Sequence, residues 1–178
     1  ENNIQAFLLK NADGPFDDTT DLVSKKLGDL DKMLSDAGNE LSQRQGEYQQ
    51  LKKISDDEIE RVFEIGGYGE EDNIQKLLLA RNQKRADFVR IQQQYKPNHP
   101  TYQAYELDVQ GLEEQVVEVA RGVGKSIENA YELAVDHQND LQKTVQDQKK
   151  KLIEVDGIRQ EFRTLNGSVD AAYATYQR

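Results

Sequence analysis

The spacing of apolar residues between positions 23 and 51 constrains this chain more than any other feature. They recur in alternating steps of four and three, and only Arg44 breaks the series. Its members are Val23, Leu27, Leu30, Leu34, Ala37, Leu41, Arg44, Tyr48 and Leu51. A repeat of about 3.5 residues makes a helix bury one narrow stripe against a partner helix. The sequence therefore predicts a coiled-coil helix here, with this series as its heptad seam.

Composition favours long helices over a large globular core. Apolar residues make up 36% of the chain and charged residues 31%, and the mean hydropathy is −0.87. This profile fits an elongated helical chain that buries only a stripe. The net charge of −10 argues against binding to nucleic acid or to anionic lipid. The chain has no cysteine, which excludes disulfides and thiolate zinc sites.

The ends of the chain suggest a segment of a longer protein. No run approaches the roughly 20 apolar residues that span a bilayer, and no signal peptide opens the sequence. Residue 1 falls within what reads as continuing structure. We therefore expect the chain to be an excised part of its parent.

Prolines divide the chain, because proline inside a helix removes a backbone donor and clashes with the preceding turn. The three prolines are Pro15, Pro97 and Pro100. The predicted divisions are a head at residues 1–18, a first leg at 19–95, a turn at 96–100 and a second leg at 101–178.

The first leg contains signals for two helices. Ser55 followed by Glu58 is typical of a capping box, which indicates a small break before a helix restarts. Three glycines at positions 66, 67 and 69 interrupt the helix more strongly. We predict helices over about 19–64 and 73–95.

The second leg is predicted to be one long helix. From Tyr102 to Val123 apolar residues again recur in steps of three and four, and after a slip near His137 the pattern continues toward Tyr176. Each leg, if helical at about 1.5 Å per residue, would reach roughly 110 Å. The predicted fold is all-α, a long antiparallel coiled-coil hairpin with its turn at residues 96–100. A fold-back at residues 66–69, giving a shorter three- or four-helix bundle, is the competing arrangement.

Several motifs that could indicate a catalytic or binding site are better explained as ordinary helix or loop residues. Gly124-Lys125-Ser126 lacks the earlier glycine and the preceding strand of a phosphate-binding loop. The two histidines, His99 and His137, lie far apart, so we expect His99 to order the turn and His137 to face solvent or the seam. The acidic clusters at 17–18 and 70–72 lack the ligand spacing of a calcium loop. We predict no catalytic residue, no metal site and no cofactor.

Tyrosines raise the separate possibility of contact with a glycan or a protein partner. Tyr95, Tyr102 and Tyr105 flank the turn, and Tyr68 lies in the glycine-rich loop. Tyr102 and Tyr105 also have seam spacing, so packing is the favoured interpretation for them. Tyr68 is the aromatic residue that we expect to be most exposed.

The turn carries a family resemblance. Residues 94–102 read Gln-Tyr-Lys-Pro-Asn-His-Pro-Thr-Tyr, and Tyr95, Pro97, Asn98, His99 and Pro100 form the motif. This stretch resembles the Y-x-x-[ND]-H-P turn of the Wzz/Wzc/GumC polysaccharide co-polymerases. Residues 110–115, 161–165 and 172–178 are similar to flanking parts of the same family, although Asn166 and Gly167 depart from its arginine-acid pair. The opening residues 1–4 also resemble the end of that family's α/β base.

The resemblance implies a role in polysaccharide polymerisation, chain-length control and export of exopolysaccharide, capsule or O-antigen. It implies a periplasmic segment of an inner-membrane protein that forms homo-oligomers, with a polymerase or an outer-membrane export channel as possible partners. Any tyrosine-kinase domain would lie elsewhere in the parent. The alternative function is the coiled-coil hairpin of a periplasmic adaptor in a tripartite secretion or efflux system. A transmembrane helix soon after Arg178 would favour the co-polymerase, and a lipoyl-like β domain would favour the adaptor.

Overall fold

Helices make up almost all of the chain that the structure describes. The computed structural model describes the backbone of residues 16–176 and the side chains of residues 21–172, 174 and 175. Within this range there are three α-helices and two 3-10 helices, and no β-strand. The prediction of an all-α fold is confirmed. The predicted head, residues 1–18, lies outside the described residues except for its last three positions.

Helix α1 spans Phe16–Leu51. It begins before the predicted position 19, so the residues expected to cap it, Asp17 to Thr20, belong to its first turns. The predicted start is therefore corrected by three residues.

The prediction of a helix reaching residue 64 is wrong. After Leu51 the chain turns, and a 3-10 helix covers Asp56–Glu64 with a kink at Glu58, where φ is −112° and ψ is 22°. Ser55 is its N-cap residue, but the Ser55 side chain makes no capping hydrogen bond. Polar Ser55 and Glu58 occupy the next two seam positions after Leu51, so a continued α1 would lose its apolar stripe. The break allows Val62, Phe63 and Ile65 to be buried instead.

Two glycines make the next reversal possible. Gly66 and Gly67 have φ values of 59° and 81°, in the left-handed region that glycine adopts without a Cβ penalty. A short 3-10 helix, Tyr68–Glu70, follows. Helix α2 spans Asp72–Gln94, close to the 73–95 expected from the sequence, and α3 spans Pro100–Tyr176.

The chain divides into two compact units, and the first consists of Glu1–Asn39 and Asp136–Arg178. Its described core is a cluster of four buried residues, two from α1 and two from α3: Leu30, Ala37, Leu141 and Val145. Leu27 and Leu34 pack against this cluster and are half-buried. The Lys149 ammonium lies 3.9 Å from the Asp31 carboxylate. Together with the proximity of Gly38 to Gln138, this pairing makes the two helices of this unit antiparallel.

The second unit, Glu40–Val135, holds a larger core. Its buried residues come from the 52–71 segment, α2 and α3: Val62, Phe63, Ile65, Ile74, Val116, Ala120, Val123 and Ile127. The last two seam residues of α1, Tyr48 and Leu51, pack against this cluster. Tyr48 stacks on Tyr131 with ring centroids 4.7 Å apart. The apolar residues between α1 and α2 are therefore buried against α3, and they do not extend the apolar stripe of α1.

Candidate functional site

The turn between α2 and α3 is the candidate site, and its backbone is fixed by hydrogen bonds. Tyr95 ends α2 in an extended conformation, with φ −127° and ψ 144°, and its N–H donates to Ile91 O at 2.9 Å. The His99 N–H donates to Lys96 O at 2.9 Å. Pro97 and Asn98 are thus the two central residues of a four-residue turn, and proline favours the first of these positions.

His99 joins the turn to the next helix. Its Nδ1 accepts a hydrogen bond from the Thr101 N–H at 3.2 Å, which is how an N-cap side chain satisfies a free donor of the first helical turn. Pro100 is the first residue of α3, where its missing N–H costs nothing. The expectation that His99 orders the turn by hydrogen bonding is confirmed.

The Tyr95 ring packs against the His99 imidazole within the turn. Its centroid lies 4.3 Å from that of the His99 imidazole, with the planes tilted by 32°. Residues 96–100 are exposed, and Tyr95 is half-buried. The site is therefore an exposed turn in which the Tyr95 and His99 rings pack against each other.

The tyrosines near the turn contact other side chains of the protein. Tyr102 packs edge-on against Phe88, with centroids 5.1 Å apart. The Lys84 ammonium lies 4.4 Å from the centroid of Tyr105. Packing was the favoured interpretation of both tyrosines, and these contacts agree with it.

Tyr68 requires a correction. It was expected to be the most exposed aromatic residue, but it is half-buried and packs against the core cluster of the second unit. The glycines around it bring the loop onto the core, because a Cβ at Gly69 would lie 2.7 Å from Phe63 O. The loop does not present Tyr68 as a free ring for a ligand.

Ion pairs between α2 and α3 hold the helices behind the turn. Lys84 Nζ lies 2.6 Å from Asp108 Oδ2, and Arg85 lies 2.6 Å from Glu113 Oε1. The hydrogen bond to Asp108 is the main reason that the pKa of Lys84 is raised above its usual value. With the Phe88–Tyr102 contact, these pairs make α2 and the start of α3 antiparallel.

Two buried charges were missed by sequence reasoning. Glu47 is 8% exposed and accepts hydrogen bonds from Gln43 at 3.2 Å and from Arg44 at 3.0 Å. Arg81 is 8% exposed and donates to Glu60 at 2.5 Å. Its spacing of seven residues from Ile74 places both on one face of α2, but the sequence gives no sign that its partner is Glu60 of the preceding 3-10 helix.

Two kinds of chemical site that the sequence raised were a metal site and a phosphate-binding loop. The described residues contain no group of three or more His, Cys, Asp or Glu side chains placed to hold a metal ion. Gly124-Lys125-Ser126 lies inside α3, where Ser126 Oγ donates to Gly122 O at 3.1 Å, so the phosphate-loop interpretation is excluded. His137 is exposed, in line with one of its two expected placements. A shallow groove between α2 and α3 is lined by Gln83, Lys84, Asp87 and Asp108, among others.

Comparison with known proteins adds no relative. No protein-family model matches the chain, nor does any curated protein or any solved structure. Among the described residues, no helix has both the length and the apolar character needed to cross a membrane.

Proposed function

We propose that this chain is a non-catalytic coiled-coil hairpin from the extracytoplasmic part of a polysaccharide co-polymerase. In this proposal, residues 19–95 and 101–178 are the two legs, and residues 96–100 form the tip. The protein acts as a scaffold in the periplasm and takes part in polymerisation, chain-length control and export of a surface polysaccharide.

The turn is the observation that carries the proposal. The residues that resemble the co-polymerase motif are the ones that form the turn between α2 and α3: His99 caps α3, Pro100 begins it, and Tyr95 packs on the His99 ring. A sequence motif supports the proposed family more strongly when its side chains form the contacts of a specific turn than when only the residue types match. The motif therefore has a physical reason to be present at this position.

The helices behind the turn support a scaffolding mechanism. The pairs of α2 with α3 are ionic and aromatic, as in Lys84–Asp108 and Phe88–Tyr102. Buried apolar residues of α3 recur along both units, for example Val109, Val116, Ile127 and Val145. In this proposal, the long antiparallel helices act as spacers within the assembly that controls polymer length.

Partners follow from the same proposal. The parent would form homo-oligomers, and the tip would lie near a polymerase, an outer-membrane export channel or the polymer itself. The exposed residues 96–100 are the part of this chain best placed for such a contact.

Polymer length in the parent organism tests the proposal. A strain lacking the gene would be complemented with the full-length protein, or with a full-length protein in which residues 96–100 are replaced by a flexible Gly-Ser linker of equal length. Electrophoresis of extracted surface polysaccharide should show a restored length distribution with the first, and a shifted distribution or loss of polymer with the second.

A control replaces an exposed stretch away from the turn and outside the α-helices, residues 55–57, with linker residues of the same kind. An unchanged polysaccharide profile in the deletion strain would contradict the proposal. If that strain instead became sensitive to compounds removed by efflux, the adaptor hairpin would be the correct function.

A further inference from the structure

The turn between α2 and α3 contains one of the two histidines of the chain, His99. Histidine is the side chain whose charge ordinarily changes between pH 5 and 8. The other histidine, His137, is exposed and lies far along α3. Within residues 96–100, only His99 therefore changes its charge in this pH range.

The hydrogen bond between His99 and Thr101 requires a neutral imidazole. Its Nδ1 accepts from the Thr101 N–H at 3.2 Å, so this nitrogen carries no proton and the ring proton is on Nε2. In the imidazolium both ring nitrogens are donors. Turning the charged ring does not restore the bond, because neither of its nitrogens can accept.

The backbone on both sides of His99 identifies it as the N-cap residue of α3. The Gln103 N–H donates to His99 O at 3.1 Å, which is the first hydrogen bond of the helix, and the His99 N–H donates to Lys96 O at 2.9 Å. The side-chain acceptor of an N-cap residue satisfies one of the donors that the first helical turn leaves free. Proton uptake by His99 therefore acts at the point where α3 begins.

The charges around the start of α3 disfavour a protonated His99. The N-terminus of a helix is the positive end of its dipole, so a cation there is unfavourable. The first turn of α3 has no acidic residue that would offset the charge. The first carboxylate of α3 belongs to Glu106, about 10 Å further along the axis at 1.5 Å per residue. Lys96, in the turn itself, adds a second positive charge.

On the side of α2, the Tyr95 ring acts in the opposite direction. Its centroid lies 4.3 Å from that of the His99 imidazole, and an aromatic face attracts a cation. His99 is exposed and Tyr95 is half-buried, and such attractions are weakest at exposed sites. The nearest charged residues of α2, Arg90 and Asp87, pair with each other. One weak attraction is therefore set against the loss of the cap, the helix dipole and the Lys96 charge.

We propose that His99 is a pH-sensitive cap, which holds the first turn of α3 closed when neutral and releases it when it takes up a proton. Release leaves the Thr101 N–H to water, and the start of α3 then frays. The exposed turn is thus ordered at neutral pH and looser below about pH 6. This inference rests on the geometry of the turn and does not depend on the polysaccharide function.

The direction of the pH effect follows from proton binding. The unfolded chain has no cap to lose, so its His99 takes up a proton more readily than His99 of the folded chain. Stability rises with pH wherever the unfolded state binds more protons. The contribution of the cap is therefore complete above the histidine range and is lost as the pH falls through it.

Thermal unfolding at pH 8 and pH 5 tests the switch in three chains that all carry His137→Asn, so that no other histidine titrates. One chain keeps His99, one has His99→Asn and one has His99→Ala. Asparagine caps a helix without titrating, whereas alanine neither caps nor titrates. Differences between the three chains cancel the titration of the carboxylates that they share.

The chain with His99 should match the His99→Asn chain at pH 8 and the His99→Ala chain at pH 5. Losing a cap should lower the Tm of a chain of this size by about 2–4 °C, so this is the loss expected between the two pH values relative to His99→Asn. Adding Tyr95→Leu removes the ring that favours the imidazolium and should make the acid loss larger.

Three results would overturn the proposal. The first is that the His99 and His99→Ala chains have the same Tm at pH 8, and the second is that they differ by an equal amount at pH 8 and pH 5. The third is that the His99 chain gains stability in acid relative to His99→Asn, because the contact with Tyr95 would then outweigh the cap.

Discussion

At the scale of single residues, the guanidinium of Arg81 links two elements that have no other ionic contact in the described structure. It is nearly buried and donates to Glu60 of the longer 3-10 helix at 2.5 Å, while Arg81 Nε donates to Asn82 at 3.3 Å. A buried cation is tolerated only when its donors are paired. Arg81 therefore helps to hold the 52–71 segment against α2.

Replacing Arg81 by Met should destabilise the second unit by about 1–3 kcal/mol, the usual cost of losing a hydrogen bond to a charged group. The Glu60 side chain is 45% exposed, so it remains hydrated and adds little to the penalty. Arg85→Met is the matched control, because its pair with Glu113 is exposed on both sides and should contribute less than about 1 kcal/mol. Urea unfolding measures both variants, and equal losses would contradict the role given to Arg81.

The Lys84–Asp108 pair predicts a dependence on high pH. The hydrogen bond to Asp108 raises the pKa of Lys84 above 10.5. A raised pKa in the folded state means that the stabilisation is complete below 10.5 and disappears as the pH rises through the higher folded value. The difference in unfolding free energy between the wild type and Lys84→Met should be constant from neutral pH to about 9 and should shrink above about 10.5.

The control for this titration is Lys26→Met, because Lys26 is exposed and has no ion pair among the described residues. Its difference from the wild type should stay flat over the same range. Since Lys84 is partly exposed, the effect should stay below about 1 kcal/mol. A Lys84 difference that grew with rising pH would reverse the sign and refute the assignment.

At the scale of elements, α3 depends on the cap that His99 supplies. His99→Ala removes the acceptor for the Thr101 N–H and should cost about 1 kcal/mol of stability. His99→Asn keeps a short side chain able to accept at an N-cap and should lose much less. Thermal unfolding followed by circular dichroism compares them, and identical losses in the two variants would show that capping is not what His99 contributes.

The glycine-rich loop offers a steric test. Gly69→Ala would place a Cβ 2.7 Å from the backbone oxygen of Phe63, and such overpacking costs about 1–3 kcal/mol. Gly122→Ala in α3 meets no atom within 4 Å and should stabilise the helix by about 0.5–1 kcal/mol. If both variants had the same effect, the close approach of the loop to Phe63 would be wrong.

The elements differ in how well the sequence predicts them. Glycines before α2 and prolines after it mark its ends in the sequence, and the helix at Asp72–Gln94 lies within a residue of the expected range. In the 52–64 segment the only signal is Ser55 with Glu58, which predicts that an α-helix restarts there, whereas the structure has a 3-10 helix. The conformation of this segment depends on burial of Val62 and Phe63 against residues of α2 and α3. Local helix propensity carries no information about contacts with residues about 50 positions later in the chain.

The sequence also predicts the role of a side chain better when its contacts are local. The His99 cap is local, since its partner is two residues away, and the sequence pointed to it. The half-burial of Tyr68 and the pairing of Arg81 with Glu60 depend on how the loop folds back onto the core. A glycine-rich loop looks mobile in a sequence, yet these glycines permit a close approach, with Gly66 near Glu47.

At the scale of the whole molecule, each compact unit contains an earlier part of the chain and a part of α3. One unit joins Glu1–Asn39 to Asp136–Arg178, and the other is the continuous stretch Glu40–Val135. In both, the described contacts pair an earlier helix with α3 in the antiparallel sense, as Asp31–Lys149 and Lys84–Asp108 do. The apolar stripe of α3 predicted such pairing, but only these contacts assign its partners.

The most direct test of this pairing is carbodiimide crosslinking, which joins a lysine to a carboxylate in direct contact. Mass spectrometry of the monomer should identify Lys84 joined to Asp108 and Lys149 joined to Asp31, the two pairs that lie 2.6 and 3.9 Å apart. If Lys25 or Lys26 were instead joined to acidic residues beside the turn, such as Asp87 or Glu106, the first leg would fold back at residues 66–69 and the antiparallel pairing described for α1 would be wrong.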